Sequence, residues 1–322
     1  MDQRFLDGAG LNVSRVCFGT MTFGSQTDEA SATRMVEYCL DSGINFFDTA
    51  NMYNKGISEE FLGRALAGKR DQAVVATKVR FRMSDDPVMG GLTRAAIMRA
   101  IDDSLRRLRM DYVDLYYLHF PDHDVRIEES LDAMNDLVKA GKVRHLATSN
   151  YAGWEVAQMI CISAAKNYQA PKISQHMYNL LARGIEQEYL PMCKEYGIGT
   201  LVYNPLAGGL LTGKQKQEAP LPGTRFDNNK MYLDRYWHRQ YFQAVQDLQG
   251  AADRAGRSLI SLALCWLYYH TQTDCLVLGA SKMEHLEQNV KALDDGPLDE
   301  ATLKVCDEVW MRLKGPTPNY NR

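Results

Sequence analysis

The chain has 322 residues, 45% of them hydrophobic, with 37 basic and 40 acidic side chains and a formal net charge of -3. That is apolar material enough for two average domains or one long α/β barrel, which needs about 250 residues. The balance of charge excludes a global basic field for nucleic acid or an anionic membrane surface.

The opening "MDQRFLDGAG" lacks a basic stretch followed by an apolar one, so no signal peptide is expected. A hairpin is predicted around "DGAGLN". Eight strand-like runs follow in order: "VCFGT", "INFFDTA", "AVVATKV", "YVDLYYLHF", "RHLATSN", "KISQHMYN", "GTLVYNP" and "CLVLGA". They are apolar rather than alternating, as parallel strands covered by helices should be. Between them lie helix-like patterns: "EASATRMVEYCLDSG", "SEEFLGRALAG", "TRAAIMRAIDDSLRRLRM", "IEESLDAMNDLVKAGK", "GWEVAQMICISAAKN" and "IEQEYLPMCKEYG". In the third, Ile97, Ile101, Leu105 and Leu108 form one apolar stripe. Gly43, Gly68, Gly141 and Gly197 stand where left-handed caps end helices.

Eight strands with helical returns predict a single (β/α)₈ TIM barrel over residues 1–322. A doubly wound sheet is the alternative, but the G-x-G-x-x-G signature that usually follows its first strand is missing. The stretch Lys214–Asn229 is predicted to be a long irregular loop, hence functional or mobile. The aromatic "MYLDRYWHRQYF" fits a surface helix or a pocket wall equally well. "SLISLALCWLYYH" is too short for a membrane span and reads as a buried helix. The seven cysteines (Cys17, Cys39, Cys161, Cys193, Cys265, Cys275 and Cys306) are scattered and odd in number, with no C-x-x-C pair. Free thiols in a reducing, cytoplasmic setting are expected, without a disulfide framework or a zinc site.

In such a barrel the C-terminal ends of the strands form the chemical face. Asp48 ends the second strand and Tyr53 lies in its loop, while Lys78 and His119 sit at the mouths of the third and fourth. Strand alternation turns Lys78 and His119 inward. A buried Lys needs a counter-ion, and Asp48 on the next strand is the natural one. A phenol beside that ammonium is expected to have its pKa lowered toward neutrality, giving a general acid. Singly, Asp48 also reads as a turn former, Tyr53 as one of 17 tyrosines, and His119 as a structural histidine. Their coincidence at one end of three consecutive strands favours a site. The His119–His123 spacing suits two metal ligands on a helix, but Pro121 argues against that helix, and no metal is expected.

With these segments in view, the chain resembles the aldo-keto reductases. "GINFFDTANMYNKGISEEFLGRAL" is similar to the signature around the family's catalytic Asp and Tyr. "VVATKV" resembles the segment with the catalytic Lys, and "DLYYLHFPD" the one with the catalytic His. The resemblance implies a tetrad: Tyr53 as proton donor, Lys78 and Asp48 tuning it, and His119 orienting a carbonyl oxygen. It also implies a nicotinamide cofactor, since no tetrad residue can supply a hydride.

The residues offer their own support for a phosphate-binding side. Gly208–Lys214 reads G-x₄-G-K, but Gln215 stands where a P-loop nucleotidase needs Ser or Thr for Mg²⁺. Small residues there still let backbone N–H groups approach phosphates. "GASKMEHLEQN" places Gly279, Ser281 and Lys282 at a helix start, which suits an anion, with an ordinary well-capped helix as the less favoured alternative. The resemblance, closest to the branch with the potassium-channel β subunits, turns these into an NADP(H) site. It puts Thr20, Met21 and Gln26 near the nicotinamide, with Ser149, Asn150 and Gln175 on the carboxamide and Tyr203 stacked on the ring. Pro205, Leu206, Gly208, Leu210 and Lys214 would line the pyrophosphate. Arg225, Ser281, Lys282, His285, Gln288 and Asn289 would surround the adenosine, with Arg225 and Lys282 favouring NADP over NAD. His285 and Gln288 depart from the family's usual Gln or Arg and Glu.

Two functions are compatible with this reading. One is an NADPH-dependent reductase of a small aldehyde or ketone, or the reverse oxidation of the alcohol. The other is an NADP-binding regulatory subunit that docks on a partner protein. A barrel hydrolase lacks its metal cluster or paired carboxylates.

Overall fold

The computed structural model describes residues 1–86 and 90–317. Strands β1 (Gln3–Leu6) and β2 (Leu11–Ser14) form the expected antiparallel hairpin. The next eight strands are β3 (Val16–Gly19), β4 (Phe46–Asp48), β5 (Val74–Val79), β6 (Val113–Leu118), β7 (Val143–Ser149), β8 (Ile173–Met177), β9 (Gly199–Tyr203) and β10 (Cys275–Gly279). Each pairs in parallel with its neighbour, and β10 returns to β3, closing the (β/α)₈ barrel that the sequence predicts.

The register sorts side chains into two apolar bodies. Ala76 lies opposite Leu115, and Lys78 opposite Tyr117. Ala76, Leu115 and Tyr117 join Cys17, Phe46, Ala147, Ile173 and Leu201 in a buried cluster inside the barrel. Leu6, Ala9 and Val13 of the hairpin belong to the same cluster and close the N-terminal end. The alternate residues, among them Val16, Phe18, Phe47, Val75 and Tyr116, pack outward against the helices. Burial on both faces is why the strands read as continuous apolar runs.

The six expected helices are α1 (Glu29–Asp41), α2 (Ile57–Ala65), α3 (Arg94–Leu108), α4 (Ile127–Lys139), α5 (Gly153–Lys166) and α6 (Tyr189–Glu195). Ile97, Ile101, Leu105 and Leu108 of α3 are all buried. The Asp28 and Thr93 side chains accept hydrogen bonds at the starts of α1 and α3, each such cap being worth about 1 kcal/mol. Gly43, Gly68, Gly141 and Gly197 have φ of 75°, 73°, 72° and 62°, the left-handed turn that leads into the next strand.

The return from β9 to β10 is longer than the others. It holds an irregular segment, then α7 (Lys230–Tyr236), α8 (Arg239–Arg254) and the buried α9 (Leu259–His270). After β10 come α10 (Met283–Ala292) and α11 (Glu300–Lys314), and α11 packs on α8. The aromatic stretch Met231–Phe242 is thus broken between α7 and α8 at Trp237 and His238. All seven cysteines are unpaired, and only Cys161 is exposed. Among the described residues no helix is long and apolar enough to cross a membrane.

Candidate active site

Asp48 is the last residue of β4 and is 2% exposed, and Lys78 of β5 is fully buried. The two form an ion pair. Lys78 Nζ also donates to the Thr49 carbonyl at 2.8 Å, and Gln175 Nε2 donates to Asp48 Oδ2 at 2.9 Å. Burial is the largest influence and works against the ammonium, but the charge of Asp48, its hydrogen bond and the nearby Tyr53 together outweigh it and hold the Lys78 pKa above its ordinary value. Removing one member of such a pair strands a buried charge, at a cost of about 3–5 kcal/mol.

Tyr53 opens a tight turn (Tyr53–Gly56) in the loop that follows β4. Lys78 Nζ lies 5.1 Å from the centroid of its ring. From the sequence, Lys78 is expected to lower the phenol's pKa toward neutrality; in the folded protein it is raised. Removal from water raises it, and the opposing charge of Lys78 only partly offsets that. Desolvation of the phenolate is the larger effect, and a neighbouring charge alone does not set the direction. Tyr53 at rest is therefore a phenol that keeps its proton.

His119 follows β6, its ring edge-on to Tyr53 with centroids 6.0 Å apart. Burial and then the Lys78 charge push its pKa well below the ordinary value, so the imidazole is neutral. Its Nδ1 is buried without a partner. Asn150, in the left-handed conformation at φ 64°, donates to the His119 carbonyl at 3.0 Å and accepts from the Tyr203 hydroxyl at 2.7 Å. The backbone beneath His119 is thereby tied to β7 and β9.

These groups form the floor of a cavity of about 530 Å³ at the C-terminal mouth of the barrel, within the usual range for a cofactor or ligand site. Of the expected residues, Met21, Gln26, Asp48, Tyr53, His119, Ser149, Asn150, Gln175, Tyr203, Pro205, Leu206, Gly208, Lys214, Arg225, Gly279, Ser281, His285, Gln288 and Asn289 all line it.

Four expected residues stand apart. Lys78 lies behind Asp48 and Tyr53. Thr20 is fully buried, its hydroxyl engaged with Ser58 Oγ and the Asp48 carbonyl, and Thr22 lines the cavity instead. Leu210 packs into the helix-side core. Lys282 is an exposed residue at the start of α10.

Met52, Phe81 and Phe120 also line the wall without any signal drawn from the sequence, and Met231, Tyr232 and Arg235 bring the first part of the ambiguous aromatic stretch into it. Phe81 and Phe120 follow the same strands as Lys78 and His119, and a bulky apolar residue just past a strand end was the available signal. The Phe81 ring stands edge-on to His119 at 5.2 Å and next to Phe120 at 6.4 Å, centroid to centroid.

At the other end, Gly208 and Gly209 have φ of 70° and 104°. A Cβ on Gly208 would come within 2.7 Å of the Tyr232 ring, so only glycine fits. No side chain caps the start of α10, which leaves first-turn N–H groups to face an anion. The positive charges of Lys214 and Lys282 both bear on His285 and, after burial, help hold its pKa down. Arg225 reaches over Gly279, where a Cβ would stand 3.5 Å from its guanidinium.

The eight-stranded parallel barrel, with a buried Lys–Asp pair, a phenol and a neutral imidazole at its mouth, is an oxidoreductase by its family and relatives. The chain belongs to the aldo/keto reductase family, whose model matches residues 15–311. It is 36% identical to human aflatoxin B1 aldehyde reductase member 2 over 94% of this chain and 88% of that protein. It is 33% identical to the uncharacterized oxidoreductase YrpG of Bacillus subtilis over 99% of this chain and 98% of the relative. A probable voltage-gated potassium channel subunit beta of rice (Oryza sativa subsp. japonica) is 34% identical over 96% of this chain and 95% of the relative.

Proposed function

We propose that this oxidoreductase uses NADPH to reduce an aldehyde or ketone to the alcohol, with Tyr53 as proton donor. The observation that carries the proposal is the protonated Tyr53 beside the buried Lys78–Asp48 pair, with a neutral His119 next to it. A carbonyl oxygen between Tyr53 and His119 would meet a proton donor and a neutral hydrogen-bonding ring. His119 orients the oxygen, and Tyr53 delivers its proton as negative charge develops there. Lys78 stabilises the phenolate left behind, and Asp48 with Gln175 keeps Lys78 in position. Phe81 and Phe120 shield the oxygen's surroundings from water.

A reduced nicotinamide, when bound, would supply the hydride that no side chain here can. The cavity suits such a group. Asn150, Gln175 and Tyr203 line its inner end. The glycine pair with the uncapped start of α10 suits phosphates, and Arg225 suits a 2′-phosphate. Lys282, exposed beyond the wall, would add a weaker charge.

The competing reading is a cofactor-binding subunit with little turnover, favoured by the likeness to the rice protein. Both readings expect NADPH binding, and only the first expects catalysis. The test follows NADPH oxidation by the purified chain with 4-nitrobenzaldehyde and a panel of other carbonyls. Steady turnover supports the reductase. Binding of NADPH without oxidation by any member of the panel would favour the subunit.

A further inference from the structure

Three consecutive residues after Tyr53 adopt left-handed backbone: Asn54 (φ 49°), Lys55 (φ 55°) and Gly56 (φ 92°). Glycine takes this conformation freely, but Asn and Lys hold it only where surrounding structure imposes it. The restraint lies on the Asn54 carboxamide. Its Nδ2 donates to the Met21 carbonyl at 3.0 Å and to the Phe23 carbonyl at 2.6 Å. Met21 lines the cavity, and Phe23 is fully buried beside it in the loop between β3 and α1. One residue further on, Gly24 packs so tightly on Ile57 that a Cβ would lie 2.3 Å from Ile57 Cγ2. The loop after β3 and the turn after β4 are therefore interlocked at two adjacent points. On its far side the turn rests on Arg107, where a Cβ on Gly56 would come within 2.6 Å of Cδ. Arg107 is held in turn by the buried Glu59, which also accepts from Thr77 Oγ1.

We infer that Asn54 is a positioning residue: by bridging two carbonyls of the loop after β3, it fixes the Tyr53 turn in register with the Met21 wall of the cavity. The inference rests on the proposed role of Tyr53 as proton donor. A phenol attached to a strained turn drifts once that turn is released, and a displacement of about 1 Å at a reacting centre can cost up to about 100-fold in rate. Asn54 touches neither substrate nor reacting atoms, so its loss should act on the chemical step and leave cofactor affinity nearly unchanged.

The experiment compares wild type, Asn54→Gly, Asn54→Asp and Tyr53→Phe. Asn54→Gly keeps the left-handed backbone without the bridge. Asn54→Asp keeps shape and backbone preference but puts a carboxylate against two carbonyls, and it serves in place of the glycine variant should that one not fold. In the folded variant, kcat for carbonyl reduction should fall about tenfold or more. The primary isotope effect from deuterated NADPH should rise as chemistry becomes rate-limiting, and the Kd for NADPH should stay within about twofold. A merely structural role would lower Tm without moving the isotope effect. Wild-type kcat and isotope effect in Asn54→Gly, or in Asn54→Asp where the glycine variant does not fold, together with an inactive Tyr53→Phe, would overturn the inference. An active Tyr53→Phe would instead remove the proton-donor reading on which it stands.

Discussion

Tyr53 holds its proton because the cavity wall withholds water from the phenolate, and the charge of Lys78 offsets that only in part. His119 is uncharged because the same surroundings penalise an imidazolium beside Lys78. Arg225 and Lys282 divide similarly by environment. Arg225 lies in the cavity wall and donates to the Tyr232 hydroxyl at 3.2 Å, whereas Lys282 is exposed at the start of α10. A charge-assisted hydrogen bond from Arg225 to a 2′-phosphate is worth roughly 1.5–3 kcal/mol, and an exposed Lys282 contributes less. Arg225→Ala should therefore weaken NADPH by about tenfold or more and NADH far less, with Lys282→Ala adding a smaller loss. Calorimetric titration with both cofactors checks this, and equal losses for the two would refute the role of Arg225. The residue types at the strand ends were legible from the sequence because a barrel puts all such ends on one face. The direction of the Tyr53 shift was not, since it depends on how much water the folded wall removes.

Among the elements, Lys214–Asn229 departs most from regular structure. Its first half is mostly exposed, while Phe226 near its end is fully buried against Tyr232 and Trp237. Lys214, Gln215, Leu221, Gly223, Thr224 and Arg225 all face the cavity, and Gln26 reaches across from the loop after β3 to the Gly223 carbonyl at 3.3 Å. A segment with one apolar anchor and little other buried surface opens locally at small cost. Bound NADPH should order it, making cofactor release slow. Limited trypsin digestion at Lys214 and Lys216 should accordingly slow severalfold when NADPH is added. Equal cleavage with and without the cofactor would contradict a lid. The loop was visible in the sequence as a run with two prolines and few large apolar residues. Helices α8 and α11 were not, because they stand outside the strand–helix alternation and bury their apolar stripes on each other. The aromatic Met231–Phe242 stretch stayed ambiguous for a related reason. It is two helices, and only the first, through Met231, Tyr232 and Arg235, reaches the cavity.

For the whole molecule, burial of histidines ties stability to pH. Burial pushes the pKa of His176 from its ordinary 6.5 down to about 4, with His119 and His145 moved the same way. The unfolded chain takes up each proton near its ordinary pKa and the folded chain only at lower pH. The stability they confer is thus fully present above about pH 6.5 and is lost as pH falls toward the folded values. Between pH 7 and pH 5, the drop in unfolding free energy should be about 1–2 kcal/mol smaller in His176→Leu than in wild type. Urea titrations of both proteins at the two pH values check it, and identical drops would mean that His176 carries none of the dependence.

The buried Lys78–Asp48 pair and Tyr53 are proposed to act together as a proton-delivery device at the mouth of the barrel. The most direct test is single-turnover reduction of an accepted aldehyde by Tyr53→Phe with NADPH in excess. Removing the hydroxyl leaves ring shape and cavity intact. General-acid catalysis is typically worth about 10²–10⁴-fold, so the rate of the chemical step should fall by that range while NADPH binding is kept. A Phe variant that binds NADPH normally and reduces the aldehyde at close to the wild-type rate would contradict it.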